Sequence, residues 1–217
     1  PILTASLPDK IRIGSAGLPI TGVSIRIAED GEVQAKGPNI MQGYFGKPEW
    51  TQEVMTEDGW FCTGDIGYVD TDGWLFITDR KKDLFKLSTG KYVAPQPIEN
   101  GLTKSPYIDQ AIAVGIERKF CSALLYPDLA RIQEHLNQKK IQVDSTNILL
   151  EPLVLTLIQQ EVDKVNENLP PWEQIKKYEF LPEPLSIERG ELTPKMSVKR
   201  QIITNNYAEL IEKIYSE

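Results

Sequence analysis

Apolar and polar residues alternate through the first third of the chain. Lys10-Ile11-Arg12-Ile13, Val23-Ser24-Ile25-Arg26-Ile27 and Glu32-Val33-Gln34-Ala35 each place an apolar side chain at every second position, the period of a strand with one face on a core. Gly17-Leu18-Pro19, Glu29-Asp30-Gly31 and Lys36-Gly37-Pro38 separate these runs with turn chemistry. Pro48 to Val54 reads as a short helix with Pro in its first turn. Trp60-Phe61-Cys62-Thr63 predicts a strand, Gly64-Asp65-Ile66-Gly67 a tight turn, and Tyr68-Val69-Asp70 with Asp72 to Ile77 a hairpin. So many short strands suggest a small barrel or sandwich.

The period lengthens after a run of five charged residues, Asp79-Arg80-Lys81-Lys82-Asp83. Pro97 to Thr103 predicts a helix, and Ile108 to Ile116 with Cys121 to Tyr126 a pair of strands. In Asp128 to Lys139, Asp128 can cap a helix whose Leu129, Ile132 and Leu136 share a face. Pro152 to Asn168 predicts a longer helix with Leu153, Leu157, Ile158, Val162 and Val165 as its apolar stripe. Ile175 to Leu181 predicts a strand and Tyr207 to Tyr215 a closing helix. The expected fold class is α+β in two pieces, β-rich at 1–80 and mixed α+β at 81–217, with no internal repeat.

Composition narrows the function. The 217 residues carry a net charge of −7 and a single histidine. An acidic chain without a basic stripe argues against nucleic-acid binding, and His135 alone cannot build a His-based triad or a His-rich metal site. Cys62 and Cys121 lie 59 positions apart without CxxC spacing, so both are expected reduced and half-buried, in a cytoplasmic setting. The longest apolar run, around Asn147 to Ile158, is interrupted by Glu151 and Pro152, too short for a membrane span. There is no signal-peptide pattern, and the start at Pro1 suggests a processed product or a piece of a longer chain. Against this background Arg80, Lys81, Lys82, Lys86 and Lys91 put five cations into twelve residues, a local spot suited to a small anionic ligand.

Four blocks carry a family resemblance: Gly31 to Tyr44 (GEVQAKGPNIMQGY), Gly59 to Asp65 (GWFCTGD), Asp79 to Glu99, and Gly190 to Pro194 (GELTP). In this order they resemble the C-terminal third of the adenylate-forming superfamily, and within it the AMP-forming long-chain fatty-acid–CoA ligases. The resemblance implies that 1–80 is the β-rich end of a large domain and 81–217 a mobile lid. It implies ATP or AMP and CoA as ligands, a fatty acid as substrate, and a Mg²⁺ site upstream of this sequence. No Gly-rich phosphate loop ending in Lys occurs here, so this chain alone is not expected to make an acyl-adenylate; its missing partner is the N-terminal part of the same protein. Peripheral contact with the inner face of the membrane is a further expectation.

The resemblance also implies residue roles. Asp65 matches the carboxylate that binds the adenosine ribose, although an Asp after Gly can equally cap a turn. Arg80 matches an arginine contacting the same sugar. Lys82 matches the pivot about which the lid rotates, with Asp83 beside it; the residues alone read as a solvated linker just as well. Lys86 and Gly90 would face the thiol substrate after rotation, Gly90 letting a pantetheine arm pass close to the backbone. The family's adenylation lysine falls on Ser197, which cannot supply a cation. If Leu192 to Arg200 is extended, Lys195, Ser197 and Lys199 share a side with neighbours roughly 6–7 Å apart, so either Lys195, then Lys199, is expected to substitute, or adenylation is impaired. Transfer to acyl carrier protein, a fatty acyl-AMP ligase, or a non-catalytic nucleotide-binding piece are the alternatives.

Overall fold

The structure, a computed structural model, describes residues 1–141 and 148–216. The chain forms two compact units, Pro1–Leu84 and Phe85–Glu217.

In the first unit a two-stranded ribbon, β1 (Thr4–Ala5) with β2 (Leu18–Pro19), precedes β3 (Ser24–Ile27), β4 (Glu32–Lys36), helix α1 (Pro48–Val54), β5 (Phe61–Val69) and β6 (Leu75–Arg80). Strands β3 to β6 make one antiparallel sheet in sequence order. The β3–β4 hairpin closes at Gly31, whose φ of 85° suits glycine. Glu32, Val33, Gln34 and Ala35 are all buried, so β4 is covered on both faces although its alternation predicts a wet side. The polar residues there are satisfied internally: Gln34 Oε1 accepts from Arg26 Nε at 2.7 Å.

Two expectations for this unit are corrected. Lys10 to Ile13 is not a strand; after the Leu7–Lys10 bridge the chain turns, Ser15 N–H donating to the Arg12 carbonyl, and Ile13 is left 96% exposed. Arg12 instead reaches Asp70 and Asp72, so its polar positions answer to ion pairs and not to a sheet. Nor is Gly64 to Gly67 a tight turn. It lies inside the nine-residue β5, where register shifts opposite both β4 and β6 absorb the glycines as bulges. A Cβ on Gly67 would sit 2.2 Å from the Phe76 carbonyl oxygen, so only glycine permits this strand approach.

The second unit opens with β7 (Phe85–Lys86) and β8 (Tyr92–Val93), then α2 (Pro95–Leu102), β9 (Ile108–Val114), β10 (Cys121–Pro127), α3 (Leu129–Gln138), α4 (Pro152–Asn166), β11 (Ile175–Phe180), α5 (Arg200–Asn206) and α6 (Ala208–Ser216). Its three-stranded sheet runs β11-β10-β9, with β9 antiparallel and β11 parallel to the central strand. Alternation along β9 and β10 divides the core. Ala111, Ala113, Cys121, Ala123 and Leu125 pack with α2, α3 and α4, while Ile112, Val114 and Leu124 pack with α5 and α6. The edge strand β9 is capped by an ion pair: the Ala113 N–H donates to Glu99 Oε1 (2.9 Å), and Arg200, 2.8 Å from Glu99, donates to the Ala113 carbonyl. That occupies backbone groups that would otherwise invite another strand.

The second unit also departs from expectation in places. Helix α2 begins at Pro95, not Pro97, and α5 is an additional helix. On α4 the buried stripe is Val154, Ile158 and Val162, while Leu153 is 51% exposed; an i, i+4, i+8 row centred one residue later decides which face is buried. Cys121 is fully buried. Asn147, where the longest apolar run begins, lies outside the described residues, among which no helix is long and apolar enough to cross a membrane.

Glu191 ties the last third together. Its side chain is 1% exposed and takes bonds from Arg189 (2.9 Å), the Ser186 N–H (3.0 Å), Asn206 (3.3 Å) and the Tyr207 hydroxyl (3.0 Å). Burial pushes its pKa up, but Arg189 and the other donors outweigh that and hold it below the ordinary value of 4.5. A folded-state pKa below the unfolded one gives stability that is full above the unfolded value and is lost as pH falls through the folded one. The melting temperature of Glu191→Gln is therefore expected to lie below that of the native sequence at pH 7, the two converging as pH drops below about 4.5; a gap that stays constant into acid would contradict this ionic role.

Candidate functional site

Asp65 and Arg80, the two residues expected on the nucleotide side, come from neighbouring strands. Asp65 on β5 stands directly across the ladder from Arg80 at the end of β6, and Arg80 Nε lies 2.7 Å from Asp65 Oδ1. Antiparallel pairing thus brings together two of the residues singled out in the sequence. Asp65 is held from its own backbone as well: its N–H donates to Thr63 Oγ1 (3.1 Å), whose hydroxyl donates to the Val33 carbonyl on β4 (2.7 Å). One carboxylate oxygen of Asp65 is thus on Arg80, and its side chain is half-buried. Gly64, Arg80, Lys81 and Lys82 line an open hollow of about 360 Å³.

Lys81, Lys82 and Asp83 form a single turn of 3₁₀ helix directly after β6. Lys82 is exposed and Asp83 half-buried. Lys81, to which the sequence assigned no separate role, is the anchored member: its Nζ lies 2.7 Å from Asp30 Oδ2 and 2.8 Å from Glu32 Oε2. Those bonds, Asp30 first and Glu32 second, raise the Lys81 pKa, and Lys81 lowers that of Asp30. Glu32 was also missed. Its side chain is 5% exposed, and its second oxygen accepts the Gly64 N–H at 2.9 Å. The signal available in sequence was the Gly31-Glu32 pair heading the first block, but strand alternation would send Glu32 to solvent.

Lys86 and Gly90 share one hairpin of the second unit. Lys86 pairs with Tyr92, and its exposed ammonium sits 5.7 Å from the Tyr92 ring centroid, within reach of a weak cation–π attraction. The predicted Ser88-Thr89-Gly90 turn is present, Gly90 N–H donating to the Leu87 carbonyl at 2.9 Å. Gly90 has φ 87°, and a Cβ there would meet nothing within 4 Å. The backbone is open on that side, and it is conformation that demands glycine.

Lys195 and Lys199 do not share an extended strand. Leu192 bridges Val198, Met196 N–H donates to the Thr193 carbonyl (2.8 Å), and Thr193 N–H to the Ser197 carbonyl (2.9 Å). The segment is a tight hairpin with Lys195 at its tip and Met196 at φ 62°. The even spacing assumed for Lys195, Ser197 and Lys199 is thereby overturned, because Pro194 starts a turn where alternation predicted a strand. Lys199 lies at the N-cap of α5, its N–H on the Glu191 carbonyl (2.8 Å), and its neighbour Arg200 is committed to Glu99. His135 is half-buried with its Nδ1 3.0 Å from the Tyr107 hydroxyl. Among the described residues no three His, Cys, Asp or Glu side chains group to hold a metal ion.

Comparison with known proteins gives this arrangement a family. Residues 82–217 match the family model described as AMP-binding enzyme C-terminal domain. The long-chain-fatty-acid–CoA ligase FadD15 of Mycobacterium tuberculosis is 37% identical over 211 residues, 96% of this chain and 35% of that protein. Human long-chain-fatty-acid–CoA ligase 1 is 35% identical over 190 residues, 86% of this chain and 27% of its own length. The chain thus spans about a third of the curated relatives it matches. In fold it is similar to the adenylation domain of a carboxylate reductase from Mycobacterium chelonae, with a TM-score of 0.67, 24% identity, and coverage of 92% of this chain and 32% of that one. With more than half its length matched by that model, the chain belongs to the AMP-binding enzymes, as a carrier of their C-terminal domain.

Proposed function

We propose that this chain is the C-terminal portion of an ATP-dependent long-chain fatty-acid–CoA ligase: residues 1–80 end the large domain, 81–217 are its mobile lid, and Lys82 and Asp83 are the hinge. The observation that carries the reading is 37% identity over 96% of the chain to a long-chain-fatty-acid–CoA ligase. The whole enzyme would join a fatty acid to ATP, releasing pyrophosphate, and then pass the acyl group from acyl-AMP to the CoA thiol. Mg²⁺ and the triphosphate would be bound mainly by the part of the protein upstream of these residues. The enzyme would work in the cytoplasm, at the inner face of the membrane where long-chain acids partition.

The chemistry asked of this chain is positional. Asp65, oriented by Arg80, would accept hydrogen bonds from the vicinal ribose hydroxyls, charge-assisted contacts worth more than neutral ones. Rotation at Lys82 would present one lid face for adenylation and another for thioester formation, so that one small domain serves two transition states. Lys195, at a hairpin tip with a long flexible stem, would bring a cation to the phosphoryl oxygens where Ser197 cannot; Lys199 is the second candidate. Lys86 and the open backbone at Gly90 would form the wall facing the pantetheine thiol.

The direct test is pyrophosphate release by the full-length protein on adding a long-chain fatty acid, followed by CoA-dependent loss of acyl-AMP; no acid-dependent release would refute the reading. In the same assay Lys86→Ala should leave pyrophosphate release unchanged and slow thioester formation at least about 10-fold, whereas Lys82→Pro should slow both, its ring fixing the torsion that must change. Lys195→Ala should cut pyrophosphate release by about 100-fold, the scale of losing one transition-state charge contact. An unchanged rate would transfer the role to Lys199.

A further inference from the structure

Lys81 and Glu32 have no part in that scheme, yet they make a buried polar contact that links three segments of the first unit. Lys81 immediately precedes the pivot, and its ammonium is taken up by Asp30 and Glu32 at 2.7 and 2.8 Å. The Asp30 contact is half-exposed on both sides and belongs to a class worth little. The Glu32 contact differs, because that carboxylate is 5% exposed and must be neutralised where it stands. Its other oxygen holds the N–H of Gly64, the residue before Asp65 and one with φ 74°.

We infer that Glu32 is a positioning residue tying the nucleotide strand to the hinge, one carboxylate oxygen on Gly64 and the other on Lys81. The assignment rests on the proposed roles of Asp65 and Lys82. Two consequences follow from the geometry. With the Lys81 ammonium tethered beside β4, torsional change at Lys82 would turn the lid against a held neighbour. And with β4 holding Gly64 through Glu32 and Thr63 through the Val33 carbonyl, Asp65 is presented by the same strand that anchors the hinge. Disturbing Lys81 should therefore reach the ribose site although its ammonium is already occupied by two carboxylates.

The test uses the full-length protein carrying Lys81→Met, Lys81→Arg, Glu32→Gln, and Lys81→Met with Glu32→Gln. Lys81→Met strands a buried carboxylate and should weaken AMP binding, measured by calorimetry, about 10-fold, within the usual range of coupling between sites. Lys81→Arg should recover most of the loss. The double variant should bind AMP no worse than Lys81→Met alone, since the glutamine keeps an acceptor for Gly64 without an unpaired charge. Losses that add would mean that Lys81 touches the nucleotide itself, and would overturn the proposal. Amide exchange at Gly64, which needs no nucleotide, should quicken by a similar factor in Lys81→Met; an unchanged rate also overturns it. A native protein that binds AMP yet releases no pyrophosphate with fatty acids would remove the ligase reading and leave this comparison intact.

Discussion

A carboxylate removed from water has to recover all of its hydrogen bonds within the protein, and in this chain Glu32 and Glu191 impose that requirement on everything near them. Each lies at the start of a short strand or bridge, each is almost fully buried, and each gathers donors from segments distant in sequence. Glu32 fixes the relation between β4, the bulge in β5 and the end of β6. Glu191 fixes the loop after β11, the hairpin bearing Lys195 and the end of α5. Replacing either by an apolar residue would remove the charge but strand its donors: Gly64 N–H and Lys81 at Glu32, and Ser186 N–H, Arg189, Asn206 and Tyr207 at Glu191. The polar interior, more than the aliphatic one, decides where the loops go.

The aliphatic interior follows simpler rules, and those were readable. Apolar runs at Ile108 to Val114 and Cys121 to Pro127 form the expected pair of strands, buried on both faces, and Asp128 caps α3 by accepting the Arg131 N–H as its type predicts. The failures occurred where a local pattern was outvoted. Lys10 to Ile13 has a strand's alternation but no partner edge, and Arg12 is claimed by two aspartates. Gly64-Asp65-Ile66-Gly67 has a turn's composition but is pulled straight by neighbours on both sides, its glycines spent on bulges and on passing close to Phe76. Thr193 to Ser197 alternates on paper and folds back at Pro194.

The site divides along the same line. Motif blocks put forward Asp65, Arg80, Lys82, Lys86 and Gly90 as candidates, because identity and order along the chain carry that resemblance. Contact geometry was not encoded in them. That Arg80 orients Asp65 follows from strand register, and that Lys81 is bound while Lys82 is free to solvent follows from which side of a 3₁₀ turn faces β4. Glu32 was invisible for a physical reason: period-two alternation assigns it to water, and only a strand covered on both faces reverses that.

The two thiols offer a use that their chemistry makes practical. Cys62 belongs to the first compact unit and Cys121 to the second. Burial raises the pKa of both, that of Cys121 to about 12, so the fully buried Cys121 is slow to alkylate while its unit is closed, whereas Cys62 is only half-buried. Because the second unit carries a single thiol and that thiol is buried, the time course of its labelling becomes a clock for the opening of that unit. A cysteine placed on the exposed surface of that unit would react far ahead of Cys121, giving a handle for a fluorophore in an otherwise native sequence.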